Sequence, residues 1–412
     1  MLLEVHDGVE FVENFADSSG GVLYTFSTSD GGGQYFISRT LFKDNACSAL
    51  GGAIYASDDT SLTIGGDVRM QGNLAQMGGG AIYSRDTTIL LLSGVIFEDN
   101  GASFHVSGYL SQGGALHLAG KTASIHACTF RHNFAVSGGA VLVSNSKVNM
   151  TGGIVANGNV AAASGGFMYL RDASVNLGPG TNISLNMAGS GAGVSLNTAS
   201  MSALDGHVTI SNNRAIGVAG GVHLIQGSKI DLIGVQISGN VAGVHGDAGY
   251  LLSGSSGAGL YSQDSFVTMT GCRFHDNVAA NGGGAVHFMG TDRGDVTSGR
   301  FQAKDCDFQS NSGEFGGAIV LQSQGTVSFE SCNFVENVAR SQRECSADVP
   351  FCGCGGGIAV LGSSAVHIEK SRFEENRAYA TYELVDTSLA ALLEQVCFPA
   401  ISQCDIENKT QS

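Results

Sequence analysis

Aromatic and imidazole side chains recur at one position of a repeated segment of this chain. Each lies between two residues that are expected to point inward, which places it on the outer face of a short strand. Rings stacked in this way form a platform of the kind that binds sugar rings or peptides. The alternative is structural, because Tyr favours strand surfaces and pairs with its stacked neighbours. The candidate ligand-binding residues are Tyr24, Tyr55, Tyr83, His117, Tyr169, His223, Tyr261 and His287.

Two carboxylates offer a different chemistry. Asp305 and Asp307 flank Cys306, which is expected to point inward, so both carboxylates would point outward about 7 Å apart. That separation fits the acid pair of an inverting glycosidase. The Gly-His-Gly and Arg-x-Lys motifs of polygalacturonases are absent from the sequence. We therefore favour a non-catalytic protein, with a polysaccharide lyase or glycoside hydrolase as the alternative.

Acidic residues recur just before a turn asparagine, but they offer no converging set of six oxygen ligands for calcium. A solvated charged edge is the favoured interpretation, and we predict no metal and no cofactor. The acidic residues in this position are Glu13, Asp44, Asp99, Asp276, Glu336 and Glu375.

Nine of the ten cysteines fall into two groups. Cys128, Cys272, Cys306 and Cys332 each lie two residues before an aromatic residue and are expected to be buried thiols. The cysteines near the C-terminus suggest disulfides formed in an oxidising compartment, or alternatively a zinc site, for which their ligand set is incomplete. The disulfide candidates are Cys345, Cys352, Cys354, Cys397 and Cys404.

Two short motifs point to a cell-surface role. The tripeptide Arg293, Gly294 and Asp295 resembles an integrin-binding motif, although chance is a serious alternative in a glycine-rich chain. Sequons permit N-glycosylation in a eukaryotic secretory route, and only the last of them is expected to be accessible. The sequon asparagines are Asn149, Asn182 and Asn408.

An internal repeat must position these residues. One unit is Phe or Ile, two variable residues and Asn, and the other is Gly-Gly-Ala followed by an aliphatic residue, as at 51–54, 79–82 and 316–319. Successive unit asparagines are mostly 26 to 28 residues apart. Apolar residues alternate after the paired glycines, as in a strand with one buried face. The period predicts an all-β, single-stranded parallel β-helix of about 13 rungs of ~27 residues.

The alternation of these two tetrapeptides resembles the chlamydial polymorphic outer membrane proteins. It covers the chain from about Phe11 to Asn376. The resemblance implies an autotransporter passenger that adheres to host cells. No secretion signal or C-terminal membrane barrel is recognisable, so we expect an extracellular or cell-surface fragment of a longer protein.

The ends and the insertions complete the domain prediction. Residues 1–380 are expected to form the repeat domain and residues 381–412 a cap and tail. Leu389, Leu392, Leu393 and Val396 are spaced as on the apolar face of a short capping helix. Three long insertions, at 100–113, 240–257 and 337–356, leave the same corner of the rung, where they could carry binding or reflect neutral drift.

Composition excludes several classes of partner. Lys and Arg number 20 against 36 Asp and Glu, a net charge of −16, so the chain has no electrostatic footprint for nucleic acid. No apolar run is long enough to span a membrane as a helix. The predicted partner is a surface glycan or a host or partner protein.

Overall fold

The computed structural model describes residues 1–26, 32–103, 111–204, 206–243, 255–290, 299–322, 326–340, 355–361, 365–379 and 403–404. Cys404 is described by its backbone alone. The predicted capping helix and most of each long insertion lie outside these residues. So do the predicted sites Arg293, Gly294, Asp295, Cys345, Cys352, Cys354, Cys397 and Asn408.

The described residues form short strands and no helix. In chain order the first strands are β1 (Leu2–Val5), β2 (Glu10–Val12), β3 (Phe15–Ala16), β4 (Leu23–Thr25), β5 (Gln34–Ser38), β6 (Leu41–Lys43), β7 (Ala46–Cys47), β8 (Ile54–Ser57), β9 (Ser61–Gly65), β10 (Arg69–Gln71), β11 (Leu74–Ala75), β12 (Ile82–Arg85), β13 (Ile89–Ser93), β14 (Ile96–Glu98), β15 (Gly101–Ala102) and β16 (Leu116–Ala119). The next are β17 (Thr122–His126), β18 (Thr129–Arg131), β19 (Phe134–Ser137), β20 (Val141–Ser144), β21 (Lys147–Thr151), β22 (Val155–Asn157), β23 (Val160–Ser164), β24 (Met168–Arg171), β25 (Ser174–Leu177), β26 (Asn182–Ser184), β27 (Met187–Ala188), β28 (Val194–Asn197), β29 (Ser200–Ala203), β30 (Thr209–Ser211), β31 (Arg214–Ala215) and β32 (Val222–Ile225). The last are β33 (Lys229–Ile233), β34 (Gln236–Ser238), β35 (Val241–Ala242), β36 (Leu260–Gln263), β37 (Phe266–Thr270), β38 (Arg273–His275), β39 (Val278–Ala279), β40 (Val286–Met289), β41 (Arg300–Lys304), β42 (Asp307–Gln309), β43 (Ser312–Gly313), β44 (Ile319–Gln322), β45 (Thr326–Glu330), β46 (Asn333–Val335), β47 (Val338–Arg340), β48 (Ile358–Val360), β49 (Ala365–Glu369), β50 (Arg372–Glu374), β51 (Arg377–Tyr379) and β52 (Gln403–Cys404).

Four strands make one rung, and the chain divides into two compact units. Unit 1 comprises Met1–Arg214 and Ser228–Asp231, and unit 2 comprises Ala215–Gly227 and Leu232–Ser412. In each unit the first, second, third and fourth strands of successive rungs pair in parallel, giving sheets A, B, C and D. The predicted parallel β-helix is therefore confirmed.

The register within unit 1 places like residues over like. In sheet D, Ile54 pairs with Ile82 and Tyr55 with Tyr83. In sheet B, Phe97 pairs with Phe130, and their ring centroids lie 5.0 Å apart. Both phenylalanines are buried in the interior. The repeat aromatics of unit 1 are therefore stacked inside the coil.

Unit 2 repeats this arrangement. Phe274, Phe308, Phe334 and Phe373 pair in order on β38, β42, β46 and β50. Their ring centroids are 5.2, 4.9 and 4.6 Å apart in succession. A continuous aromatic stack fills the core behind sheet B.

The turn asparagines form a buried ladder in each unit. Asn133 is typical: its Nδ2 donates to Asn159 Oδ1 on the next rung at 2.9 Å and to the Phe97 carbonyl at 3.1 Å. Its Oδ1 accepts from both the backbone N and the Nδ2 of Asn100, each at 3.0 Å. The amide therefore satisfies buried backbone groups that no strand reaches.

The residue before the ladder asparagine, and not the asparagine itself, adopts the left-handed conformation in most rungs. Examples are Asp44 (φ 54°), Asp99 (φ 54°) and Asp276 (φ 57°). Asp tolerates this conformation because its short side chain can hydrogen-bond locally. The recurrent acidic residues are thus explained by backbone geometry at an exposed turn.

The paired glycines serve two different needs. Gly51 has φ of 70°, which a residue with a side chain adopts only with strain. At Gly52 an added Cβ would meet the carbonyl oxygen of Gly80, and it would lie 2.7 Å from that of Leu74. The first glycine makes the turn and the second permits close approach of neighbouring backbones.

Candidate functional site

The Tyr and His residues form a column on sheet D in each unit. In unit 1, Tyr24 pairs with Tyr55, Tyr55 with Tyr83 and Tyr83 with His117. The centroids of Tyr24 and Tyr55 lie 4.7 Å apart with nearly parallel rings. In unit 2, His223 pairs with Tyr261 and Tyr261 with His287. The predicted stacking register is correct.

The expectation that this column faces solvent is wrong for most of its members. Tyr24 is 52% exposed and Tyr169 and His223 are half-buried. The column residues that are buried are Tyr55, Tyr83, His117, Tyr261 and His287.

The segment that precedes a glycine pair covers two of the buried rings, His117 and His287. A Cβ added at Gly78 would lie 2.8 Å from His117 Nδ1, and one added at Gly282 would lie 2.5 Å from His287 Nδ1. Stacked neighbours above and below close the remaining sides. A flat aromatic platform open to a ligand is therefore absent at these described residues, and binding by Tyr24, Tyr169 or His223 stays a prediction.

Burial sets the protonation state of the column imidazoles. It lowers the pKa of His117 to about 3, helped by the nearby charge of Arg171. Burial alone lowers the pKa of His223 to about 4. Burial also lowers the pKa of His287 to about 4, although a contact with Gln322 favours the charged form of the ring. These rings are neutral at physiological pH, and the two buried ones, His117 and His287, act as packing groups.

The other predicted residues are placed as follows. Asp305 is an exposed turn residue with φ of 52°, whereas Asp307 lies half-buried on β42. Asn149 and Asn182 are both exposed on strands, so the expectation that only Asn408 is accessible is wrong. Among the described residues the free, buried cysteines are Cys47, Cys128, Cys272, Cys306 and Cys332.

Three of these thiols stack in unit 2. Contact with the Cys272 and Cys332 thiols, together with burial, raises the pKa of Cys306 well above its ordinary value. Burial raises the pKa of Cys128, in unit 1, to about 11. The prediction of buried thiols is confirmed for these residues, and the geometry gives no disulfide among them.

A polar groove lies on the outer face of sheet B in unit 2. It has a volume of about 650 Å³ and runs across β34, β38, β42, β46 and β50. The first residue of each of these strands pairs with the first residue of the strand on the next rung. We call these residues the planar polar column: Gln236, Arg273, Asp307, Asn333 and Arg372.

Hydrogen bonds hold the middle of this column in place. Asn333 Nδ2 donates to Asp307 Oδ1 at 2.8 Å, and Arg273 Nε lies 3.8 Å from Asp307 Oδ2. At the far end Arg372 forms an ion pair with Glu374 of the same strand. The two arginine side chains are 72% and 65% exposed, so most of their N–H donors face solvent.

A second chain of hydrogen bonds fixes the tautomer of His275. An amide nitrogen can only donate, so Gln236 Nε2 donates to His275 Nε2 at 2.8 Å. The ring proton is thereby assigned to Nδ1, which donates to Asp276 Oδ2 at 3.0 Å. The groove thus presents ordered donors and acceptors.

Asp305 does not line this groove, whereas Asp307 does. The two carboxylates of the enzyme alternative are therefore not brought together in it. No group of three or more His, Cys, Asp or Glu side chains in the described part of the chain is arranged to hold a metal ion.

The sequence signal for the groove is weak, because its residues are separated by whole rungs. Only Asp307 belongs to the sequence-predicted set. The signal is visible when the repeats are aligned with one another, because the residue before the core aromatic position is planar and polar in five rungs of unit 2. A comparison of equivalent repeat positions finds the groove, whereas a search for short motifs does not.

These features define a parallel β-solenoid with a polar groove on one sheet. The chain belongs to the right-handed β-helix region family, whose model matches residues 205–411. Residues 39–57 match the Chlamydia polymorphic membrane protein repeat. The predicted resemblance is thereby confirmed, and it indicates an outer-membrane or surface location. No curated protein and no solved structure gives a significant match.

The described part of the chain contains no helix long and apolar enough to cross a membrane.

Proposed function

We propose that the protein is a non-catalytic recognition module of the autotransporter-passenger type, which binds a surface glycan or a partner protein through the polar groove of unit 2. The observation that carries this proposal is the planar polar column, five successive rungs of ordered hydrogen-bonding groups lining one concave surface. The volume of about 650 Å³ is within the range of ~300–1,000 Å³ in which proteins bind small ligands.

The contacts of Asp307 favour binding over catalysis. Its Oδ1 accepts a hydrogen bond from Asn333 Nδ2 at 2.8 Å, and its Oδ2 lies 3.8 Å from Arg273 Nε. Asp305, the second carboxylate that the enzyme alternative needs, does not line the groove. The Asp307 carboxylate, held in this way, is suited to accepting hydrogen bonds from ligand hydroxyl or amide groups.

Adhesion to host cells and to immobilised glycans tests this function. The purified chain is compared with Arg273→Ala and Asn333→Ala, and with Arg69→Ala as matched control. Arg69 occupies the same strand position on β10 of unit 1 and is exposed. We expect at least a tenfold loss of binding for the two groove variants and none for Arg69→Ala.

Two results would contradict the proposal. Equal binding by the wild-type chain and both groove variants would show that the groove is not the recognition site. Release of shortened saccharides during incubation, lost in Asp307→Asn, would favour the enzyme alternative. Mass spectrometry of the glycan after incubation distinguishes binding from cleavage.

A further inference from the structure

The two units differ at the strand position that forms the groove. In unit 1 this position carries planar polar residues in some rungs and aliphatic or hydroxyl residues in the others, and no two successive rungs carry an amide, guanidinium or carboxylate. The unit 1 residues are Glu10, Leu41, Arg69, Ile96, Thr129, Val155, Asn182 and Thr209. In unit 2 every rung from β34 to β50 carries such a group. Because both units share the core and the asparagine ladder, the fold itself does not require the planar polar column.

We propose that the planar polar column binds an electrically neutral oligosaccharide lengthwise, with about one sugar ring at each rung. This inference rests on the proposed function and specifies the ligand of the same groove. Amide, guanidinium and carboxylate groups each present two polar atoms in one plane. Two such polar atoms can hydrogen-bond two adjacent hydroxyl groups of one sugar ring. Five planar side chains in a row therefore match a chain of sugar rings.

Rung spacing sets the expected length. Successive side chains of the column are one strand spacing apart, about 4.8 Å, so Gln236 and Arg372 are separated by four steps or about 19 Å. Gln309 and Ser310 line the side of the groove and offer further polar contacts. Each added ring therefore meets another planar group until the column ends.

Charge argues for a neutral ligand. The lining holds two arginines against Asp276 and Asp307, so the fixed charges of the groove cancel. Glu374 pairs with Arg372 at its edge, and the chain carries a net charge of −16. A polyanion would be repelled at long range and would have to displace these ion pairs. A neutral ligand that is rich in hydroxyl groups is not repelled and can bind without displacing these ion pairs.

A glycan array measures this preference directly. The probes are glucose, galactose, mannose and N-acetylglucosamine oligomers of two to six units, together with uronic acid and sialylated oligomers. We expect binding to a neutral series, with affinity that rises with length up to four or five units and then levels off. Raising NaCl from 50 to 500 mM should change this affinity less than twofold.

Variants locate the ligand on the column. Asn333→Ala, in the middle, should lower the affinity for the pentamer at least tenfold. Gln236→Ala, at one end, should lower the affinity for the pentamer and leave that for the dimer unchanged. Arg69→Ala serves as the control in unit 1 and should bind as the wild type.

The outcomes separate this inference from the proposed function. Preferential, salt-sensitive binding of the acidic oligomers through the same groove overturns the neutral ligand and leaves the recognition function standing. Groove-dependent adhesion to cells with no array binding also overturns it, in favour of a protein ligand. Absence of both array binding and cell adhesion overturns the two proposals together.

Discussion

Each buried ladder asparagine uses both ends of its amide. Asn133 joins two rungs by four hydrogen bonds, and all of its polar atoms are buried. A residue with a hydroxyl or an aliphatic side chain cannot replace both the donor pair and the acceptor pair. The side chain is therefore a structural requirement of the repeat, which explains its recurrence without any role in binding.

Replacement of Asn133 by Ala tests this requirement. The change leaves the backbone N–H and side-chain amide of Asn100 and the carbonyl of Phe97 without their partner, and each orphaned buried group costs about 1–3 kcal/mol. We expect the free energy of unfolding, measured by urea denaturation, to fall by at least about 3 kcal/mol. Asn182→Ala, an exposed control, should change it by less than about 0.5 kcal/mol. Equal effects of the two changes would refute the ladder's role.

The pH dependence of stability follows from the buried imidazoles. His117 has a pKa of about 3 in the folded chain against an ordinary value of 6.5, so the unfolded state binds the proton more readily. Its contribution is fully present above pH 6.5 and is lost as the pH falls toward 3, by at most about 1.4 kcal/mol per pH unit.

His117→Leu therefore should lose less stability on acidification than the wild type. Urea denaturation at pH 7, 5.5 and 4.5 measures the difference, and Leu matches the residue at the next rung, Leu142. His132→Gln, at an exposed histidine, is the control and should keep the wild-type slope. Parallel pH profiles for His117→Leu and the wild type would contradict the assignment.

At the scale of the strand and turn, the two glycines of a pair are required for different reasons, one for a positive φ and the other for close approach of neighbouring backbones. Gly52→Ala pushes a Cβ into neighbouring backbone carbonyls, whereas Gly94→Ala meets open space and suffers only the strain of φ at 66°. We expect losses of about 1–2 kcal/mol for Gly94→Ala and a larger loss, or failure to fold, for Gly52→Ala. Soluble yield and denaturation midpoints check the order, and a reversed order would disprove the close-approach argument.

Burial of side chains inside the coil also lowers the reactivity of the cysteine thiols. Cys128 is fully buried and its pKa of about 11 keeps it protonated at pH 8. We expect less than a tenth of Cys128 to be alkylated by iodoacetamide in the native chain and nearly all of it in denaturant. Peptide mass spectrometry measures both fractions. Rapid alkylation of the native chain would mean that the core behind β18 opens to solvent.

The sequence determined which columns exist but not how exposed they are. The pairing of Tyr55 with Tyr83 follows from the repeat spacing alone. Burial of a column residue also depends on the path of the segment before a glycine pair, as at His117 and His287, whose Nδ1 atoms lie close to Gly78 and Gly282. Period-2 alternation distinguishes inward from outward side chains and does not report what covers the outer face. The groove was missed because its residues, such as Arg273 and Asn333, are a whole rung apart.

For the molecule as a whole, the repeat predicts that stability is distributed locally. In a solenoid each repeat contacts chiefly its neighbours, so stability is a sum of repeat terms and nearest-neighbour terms. Phe308 is fully buried between Phe274 and Phe334 in unit 2, and Phe97 stacks on Phe130 in unit 1. Loss of the Phe308 or the Phe97 ring should therefore lower the stability of its own and the neighbouring rungs first.

Amide hydrogen exchange on two matched variants measures this locality. Phe308→Ala removes a buried ring at a cost of about 3–5 kcal/mol. It should speed exchange in β38, β42 and β46 of unit 2 and leave β10, β14 and β18 of unit 1 within twofold of the wild type. Phe97→Ala should give the reverse pattern. A uniform loss of protection throughout the chain, in either variant, would show that the rungs unfold as one cooperative body and would contradict the nearest-neighbour account.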